Sequence, residues 1–153
     1  MGSRSPGLVV LMADDDEDDC FLVESAFREI GIDHDLRFVA NGLELLDYLY
    51  NEGNFRDHEK YPKPDLILLD LNMPMMDGRQ ALKAIKADPR LWDIPILIFT
   101  TSREELDIEL TRREGASSFL TKPEVFEDLA DVLSKFCTAI RNDPNVPFRV
   151  IGC

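Results

Sequence analysis

Short unbroken apolar runs alternate with amphipathic stretches along this chain. Leu8 to Ala13 is the first run, and it breaks into Asp14-Asp15-Asp16-Glu17-Asp18-Asp19, which reads as a strand followed by an acidic loop. From Phe21 the spacing becomes helical: Leu22, Val23, Ala26, Phe27 and Ile30 recur before Gly31 stops the pattern. Acidic residues then fill the first helical turn, where the helix dipole favours them. Leu36 to Ala40 is a weaker strand candidate after the polar turn Asp33-His34-Asp35. Asn41 with Glu44 has the form of a capping box for a second helix, which carries Leu45, Leu46 and Leu49 and ends near Gly53. Residues 54 to 63 are polar and breaker-rich, a loop longer than most connections of its kind.

The second half repeats the alternation. Leu66-Ile67-Leu68-Leu69, bounded by Pro64 before it and by Pro74 and Gly78 after it, suits a strand buried on both faces of a parallel sheet, and Asp70 closes it. Ala81, Leu82 and Ile85 mark a third helix, ended by Asp88-Pro89. Residues 94 to 99 form a fourth strand with Pro95 at its start, where a missing N–H is tolerated. Ser102 with Glu105 predicts the best capping box of the chain, for a helix over roughly 103 to 114. That helix is the least apolar of the set, with Leu106, Ile108 and Leu110 as its hydrophobic residues, so thin anchoring and mobility are expected. Gly115 fits a helix C′ position. Ser117 to Thr121 is a short fifth strand ending at Lys122-Pro123, and Phe126, Leu129, Ala130, Leu133, Phe136, Cys137 and Ile140 keep one face of a last helix.

Five strand–helix alternations predict an α/β fold, a flavodoxin-like (βα)5 doubly wound parallel sheet of strand order 2-1-3-4-5. One domain over residues 8 to 141 is expected, between a disordered leader or expression scar at 1 to 7 and a C-terminal tail at 142 to 153. In such a sheet the ends of strands 1 and 3 meet at the switch point, so Asp14, Asp15 and Asp70 converge on one crevice.

Composition narrows the class. A net charge of -13 over 153 residues argues against a nucleic-acid surface, which needs clustered cations. Cys20, Cys137 and Cys153 lie far apart without CxxC spacing, which points to reduced thiols in a cytoplasmic protein. No apolar run approaches the roughly 20 residues that span a bilayer, and no signal peptide is visible. His34 and His58 have no motif around them and are expected to face solvent.

Every polar residue of interest follows an apolar run: Asp14 and Asp15, Asp70, Thr100 and Lys122. Three converging carboxylates repel and call for a cation, and hard oxygen ligands suit Mg2+. Such an ion would hold a phosphoryl group against Asp70, with the Thr100 hydroxyl and the Lys122 ammonium on its oxygens, an arrangement that fits an aspartyl phosphate. An EF-hand starting at Asp14 fails, because Asp19 stands where glycine is needed and Ser25 where the bidentate glutamate is needed. Taken alone, Asp16 to Asp19 read as a solvated charge run capping a helix, and Met73, Met75 and Met76 as packing groups.

The pair Asp14-Asp15, the block Leu69 to Gly78, Thr100, and Phe119-Leu120-Thr121-Lys122-Pro123 together resemble the receiver domain of two-component response regulators, in order and in spacing, over about residues 8 to 140. The resemblance implies that Asp70 accepts a phosphoryl group from a histidine kinase. It implies that Asp15 and Asp70 ligate Mg2+ directly, Asn72 through its backbone carbonyl and Asp14 mainly through water. Lys122 pairs with Asp70 or its phosphate, and Pro123 follows a cis peptide that aims the lysine. Thr100 is drawn to the phosphate and Phe119 turns inward, altering the surface of helix 4, strand 5 and helix 5 for a downstream protein partner. Phe119 stands where many relatives carry tyrosine, and Asn72 and Ser102 occupy the positions that modulate self-dephosphorylation. The 54 to 63 loop and the region from Lys122 to Cys137 resemble stand-alone receivers associated with bacterial phytochrome kinases. Homodimerisation through the last helix and strand is compatible with this reading.

Two other functional classes fit the pattern less well. A phosphatase working through an aspartyl phosphate commonly carries a second aspartate two residues after the nucleophile, and here that position is Asn72. An FMN carrier on the same fold needs a phosphate cradle after strand 1, where this chain has six consecutive acidic residues.

Overall fold

The computed structural model describes residues 7–122, 126–142 and 149–151. Its sheet is parallel throughout, built from β1 (Leu8–Ala13), β2 (His34–Val39), β3 (Leu66–Leu69), β4 (Ile96–Thr100), β5 (Ser118–Thr121) and β6 (Arg149–Ile151). The strand order is β2-β1-β3-β4-β5-β6. The 2-1-3-4-5 order expected from the alternation is present, and β6 extends it beyond β5. β6 lies in the segment expected as a tail, and its three residues pair with Ser118, Phe119 and Leu120.

Five helices complete the crossovers: α1 (Glu17–Ile30), α2 (Gly42–Tyr50), α3 (Gly78–Lys86), α4 (Glu105–Arg113) and α5 (Phe126–Asn142). Because strand side chains alternate between faces, each apolar run supplies two cores. Leu11, Ile67, Leu69, Ile98 and Phe119 face the α2 and α3 side, where Leu45, Leu82 and Ile85 meet them. Val10, Met12, Leu68, Leu97 and Leu120 face the other side, against Val23 and Phe27 of α1 and Leu133 and Phe136 of α5. Each fully buried side chain of this size contributes about 1.5–3 kcal/mol. Among the described residues, no helix is long and apolar enough to cross a membrane.

Several local expectations change. β2 starts at His34, inside the expected polar turn, and His34 is half-buried, its ring centroid 5.0 Å from that of Phe27. Asn41 caps α2 by accepting from Glu44 N–H, but the Glu44 carboxylate reaches Ala40 N–H in place of its own cap residue. The helix then stops at Tyr50, with Asn51 left-handed at φ 53°. The long loop after it is packed. Tyr48, Phe55 and Tyr61 form a ring cluster, and Asn51 donates to the carbonyls of Phe55 and Tyr61 at 3.0 Å.

The Ser102–Glu105 capping box does not form. The helix begins with Glu104 as its cap residue and without a side-chain cap, because Ser102 is turned toward Asp107. The reciprocal capping box belongs to α3, between Asp77 and Gln80. Met73 is buried and Met76 half-buried, as packing groups are, whereas Met75 is exposed and left-handed at φ 66°.

Candidate functional site

Register carries the four chemical segments to one end of the sheet. Ala13 lies beside Leu69, Leu69 beside Ile98, and Thr100 beside Thr121. The residues following these positions are tied to the ladder as well: Asp70 N–H donates to Ala13 O at 3.0 Å and Lys122 N–H to Thr100 O at 2.7 Å. Asp14, Asp70, Thr100 and Lys122 therefore share one rim.

Asp70 is 6 % exposed, and its Oδ1 accepts from Asn72 N–H at 3.3 Å. Burial raises its carboxyl above the usual range, opposed by the charge of Lys122, the Asn72 N–H and the Thr100 hydroxyl. Gly78 is structural here: a Cβ at that position would stand 2.1 Å from Asp70 O, so any side chain would push the loop after Asp70 aside. Thr100 is fully buried, with its hydroxyl oxygen accepting from Ser102 N–H at 3.4 Å.

Asp14 is also buried, and its Oδ1 accepts from Asp16 N–H at 2.9 Å. Burial pushes its carboxyl up to about 6 despite the Asp16 N–H and Lys122. Its Oδ2 is buried without a hydrogen bond among the described residues, although the Lys122 ammonium lies 2.9 Å away outside donating geometry. Asp15 is exposed beside it. Asp14, Asp15 and Asp70 each offer one carboxylate oxygen, all within 4.8 Å of one another. An orphaned buried lone pair within a set of hard oxygen donors fits a divalent cation.

Lys122 faces three carboxylates: Asp19 at 2.5 Å, Asp14 at 2.9 Å and Asp70 at 3.6 Å. Burial alone would lower its ammonium, and these partners more than reverse that, holding it above the usual lysine range. Lys122 is thus brought to Asp70 as expected, but its nearest partner is Asp19. The reading of Asp16 to Asp19 as a solvated run holds for the cap Asp16, which accepts from Asp18 N–H, and fails for Asp19, whose side chain is 18 % exposed. Cys20 follows it, its thiol pushed up to about 12 by burial and by Asp14, Asp19 and Asp16.

Phe119 is fully buried, in the core cluster that also holds Leu82 and Ile98. Asn72 is exposed and Ser102 half-buried. Pro123 lies outside the described residues. Two residues had escaped the sequence pattern. Arg79, next to Gly78, grips Asp107 of α4 at 2.7 and 2.8 Å, and Ser102 Oγ donates to the same carboxylate at 2.7 Å. The sequence signal was only that Asp107 and Thr111, four apart, share one face of α4; that this face, and not the one carrying Leu106 and Leu110, is the buried one appears in the structure. The open clefts of the molecule, lined by residues such as Leu8, Lys63, Asp65 and Pro95, lie at the opposite end of the strands.

The comparisons bear on the same rim. A family model described as response regulator receiver domain matches residues 10–134. Response regulator Rcp1 of a Synechocystis strain is 37 % identical over 125 residues, covering 82 % of this chain and 83 % of Rcp1. A crystal structure of the phosphorylated cyanobacterial phytochrome response regulator RcpA is similar at a TM-score of 0.77 and 32 % identity, over 85 % of this chain and 91 % of RcpA. The Mn2+-bound form of Rcp1 matches at a TM-score of 0.74 and 34 % identity, over 89 % of this chain and 93 % of that one.

Proposed function

The chain belongs to the response regulator receiver domain family, and from that premise we propose that Asp70 is its phosphoacceptor, that Mg2+ is its cation and that a histidine kinase is its donor. The observation that carries this is the meeting of three carboxylate oxygens within 4.8 Å with the shielded Lys122 ammonium 3.6 Å from Asp70. In the transfer, an Asp70 oxygen donates a lone pair to phosphorus while the bond from phosphorus to the kinase histidine nitrogen breaks, its electrons returning to the imidazole. Charge neutralisation and positioning supply most of the rate. Asp15 and Asp70, with the backbone carbonyl of Asn72 and with Asp14 mainly through water, would hold the cation, which would offset charge on the phosphoryl oxygens. Lys122 and the Thr100 hydroxyl take up two of those oxygens.

Release is hydrolysis: water attacks phosphorus, the bond to Asp70 breaks, and phosphate leaves with the carboxylate restored. Asn72 cannot act as acid or base for that water, and Ser102 is engaged by Asp107, so the site stores a phosphoryl group more than it turns over substrate. The phosphatase reading is not favoured. Withdrawal of Thr100 toward the phosphate would pull on Ser102 and thereby on α4, whose exposed Leu106 and Leu110 give the α4–β5–α5 surface an apolar contact for a protein partner or a second copy. Phe119, packed below, stands at the switch position. The similarity to the cyanobacterial phytochrome response regulator RcpA supports a phytochrome-type kinase as donor; the receiver is proposed to span residues 8 to 141, around the family match over 10–134, and to be cytoplasmic.

The test is incubation with acetyl phosphate and Mg2+ followed by intact mass. The native chain gains one phosphoryl group that survives acid and is lost in base, and Asp70→Asn gains none. An equal adduct on Asp70→Asn defeats the proposal.

A further inference from the structure

We propose that Asp19 is a positioning residue that draws Lys122 away from Asp70 until a phosphoryl group displaces it. The inference rests on the phosphoacceptor reading of Asp70 and adds a residue to it. An ammonium has three donors, and the distances rank its partners: Asp19 Oδ2 at 2.5 Å, Asp14 Oδ2 at 2.9 Å and Asp70 Oδ2 at 3.6 Å. Only Asp19 receives a hydrogen bond from it among these three. The pair is shielded, with side chains 11 % and 18 % exposed, so solvent screens it less than a surface ion pair.

Local geometry shows why Asp19 is available for this. It is the third residue of α1, where an acidic side chain ordinarily turns back to the cap residue's N–H. Here Asp16 N–H is already taken by Asp14 Oδ1, and Asp19 reaches across 103 residues of sequence to Lys122 instead. A phosphoryl group on Asp70 carries more negative charge than a carboxylate and offers more acceptor oxygens, so it wins the ammonium. Asp19 competes with it throughout. Removing Asp19 should strengthen the Lys122–phosphoryl pair and lengthen the life of the adduct.

The experiment compares the native chain, Asp19→Ala and Asp18→Ala, the last removing an exposed carboxylate one residue away. Thermal unfolding first establishes that all three fold. Decay of the acetyl-phosphate adduct, followed by intact mass, is expected to slow about three- to tenfold in Asp19→Ala, as for other coupled pairs, and to stay at the native rate in Asp18→Ala. In the unmodified protein, the Lys122 side-chain 15N resonance is expected to move, and its protons to exchange faster, in Asp19→Ala alone. A native or shortened lifetime in Asp19→Ala, an equal effect of Asp18→Ala, or an unmoved Lys122 resonance overturns the inference. Failure of the native chain to label at all defeats the parent reading, and the resonance then still decides whether Asp19 holds Lys122.

Discussion

Carboxylates outnumber cations at the rim, and that imbalance sets its chemistry. Asp14 and Asp70 are buried with raised carboxyls, Asp15 is exposed, and Lys122 is divided among Asp19, Asp14 and Asp70. A divalent cation that binds only the folded chain stabilises it, by about 2.7 kcal/mol at a hundred times its dissociation constant. Mg2+ is therefore expected to raise the melting temperature of the native chain. Asp15→Asn, which removes an exposed carboxylate charge that we propose faces the cation, should shrink that rise, and thermal scans against Mg2+ concentration check it. At this scale Asp70, Thr100 and Lys122 were legible because each ends or follows an apolar run. Asp19 was not, since a run of six acidic residues carries no mark of which one the helix turns inward.

The telling element is α4. Its buried positions are Asp107 and Thr111, while Leu106 is 75 % exposed. What fastens it is a polar clamp, Arg79 and Ser102 on the Asp107 carboxylate, with Thr111 Oγ1 donating to Asp107 O at 2.8 Å. The expectation of thin apolar anchoring was right, but the capping reading of Ser102 was wrong, because its hydroxyl donates to the buried Asp107 carboxylate and is held there, accepting from Glu104 N–H just before the helix and from no N–H of its first turn. Arg79 holds the Asp107 carboxyl below its ordinary value of 3.8. A lowered folded value means stability that is fully present above pH 3.8 and is lost as pH falls through the folded value. Asp107→Asn should cost about 1–3 kcal/mol. That difference from the native chain should hold steady between about pH 5 and 8 and shrink below about pH 4, as denaturant unfolding across pH would reveal.

For the whole molecule, the alternation of strand and helix sufficed for the layer order and the switch point, because parallel crossovers leave few other arrangements for such a pattern. β6 was not legible: Arg149–Ile151 is too short to show a period, and its place depends on the open edge of β5. The packed loop after α2 was hidden for a related reason, since Phe55 and Tyr61 lie among polar residues and meet Tyr48 only in three dimensions. The sheet is a frame that brings distant segments to one carboxylate. Borohydride reduces an acyl phosphate to an alcohol, so an aspartyl phosphate is converted to homoserine at the position that carried it. After acetyl phosphate and Mg2+, peptide mapping is predicted to find homoserine at position 70 alone; homoserine at another aspartate, such as Asp14 or Asp15, or at none, would contradict the account.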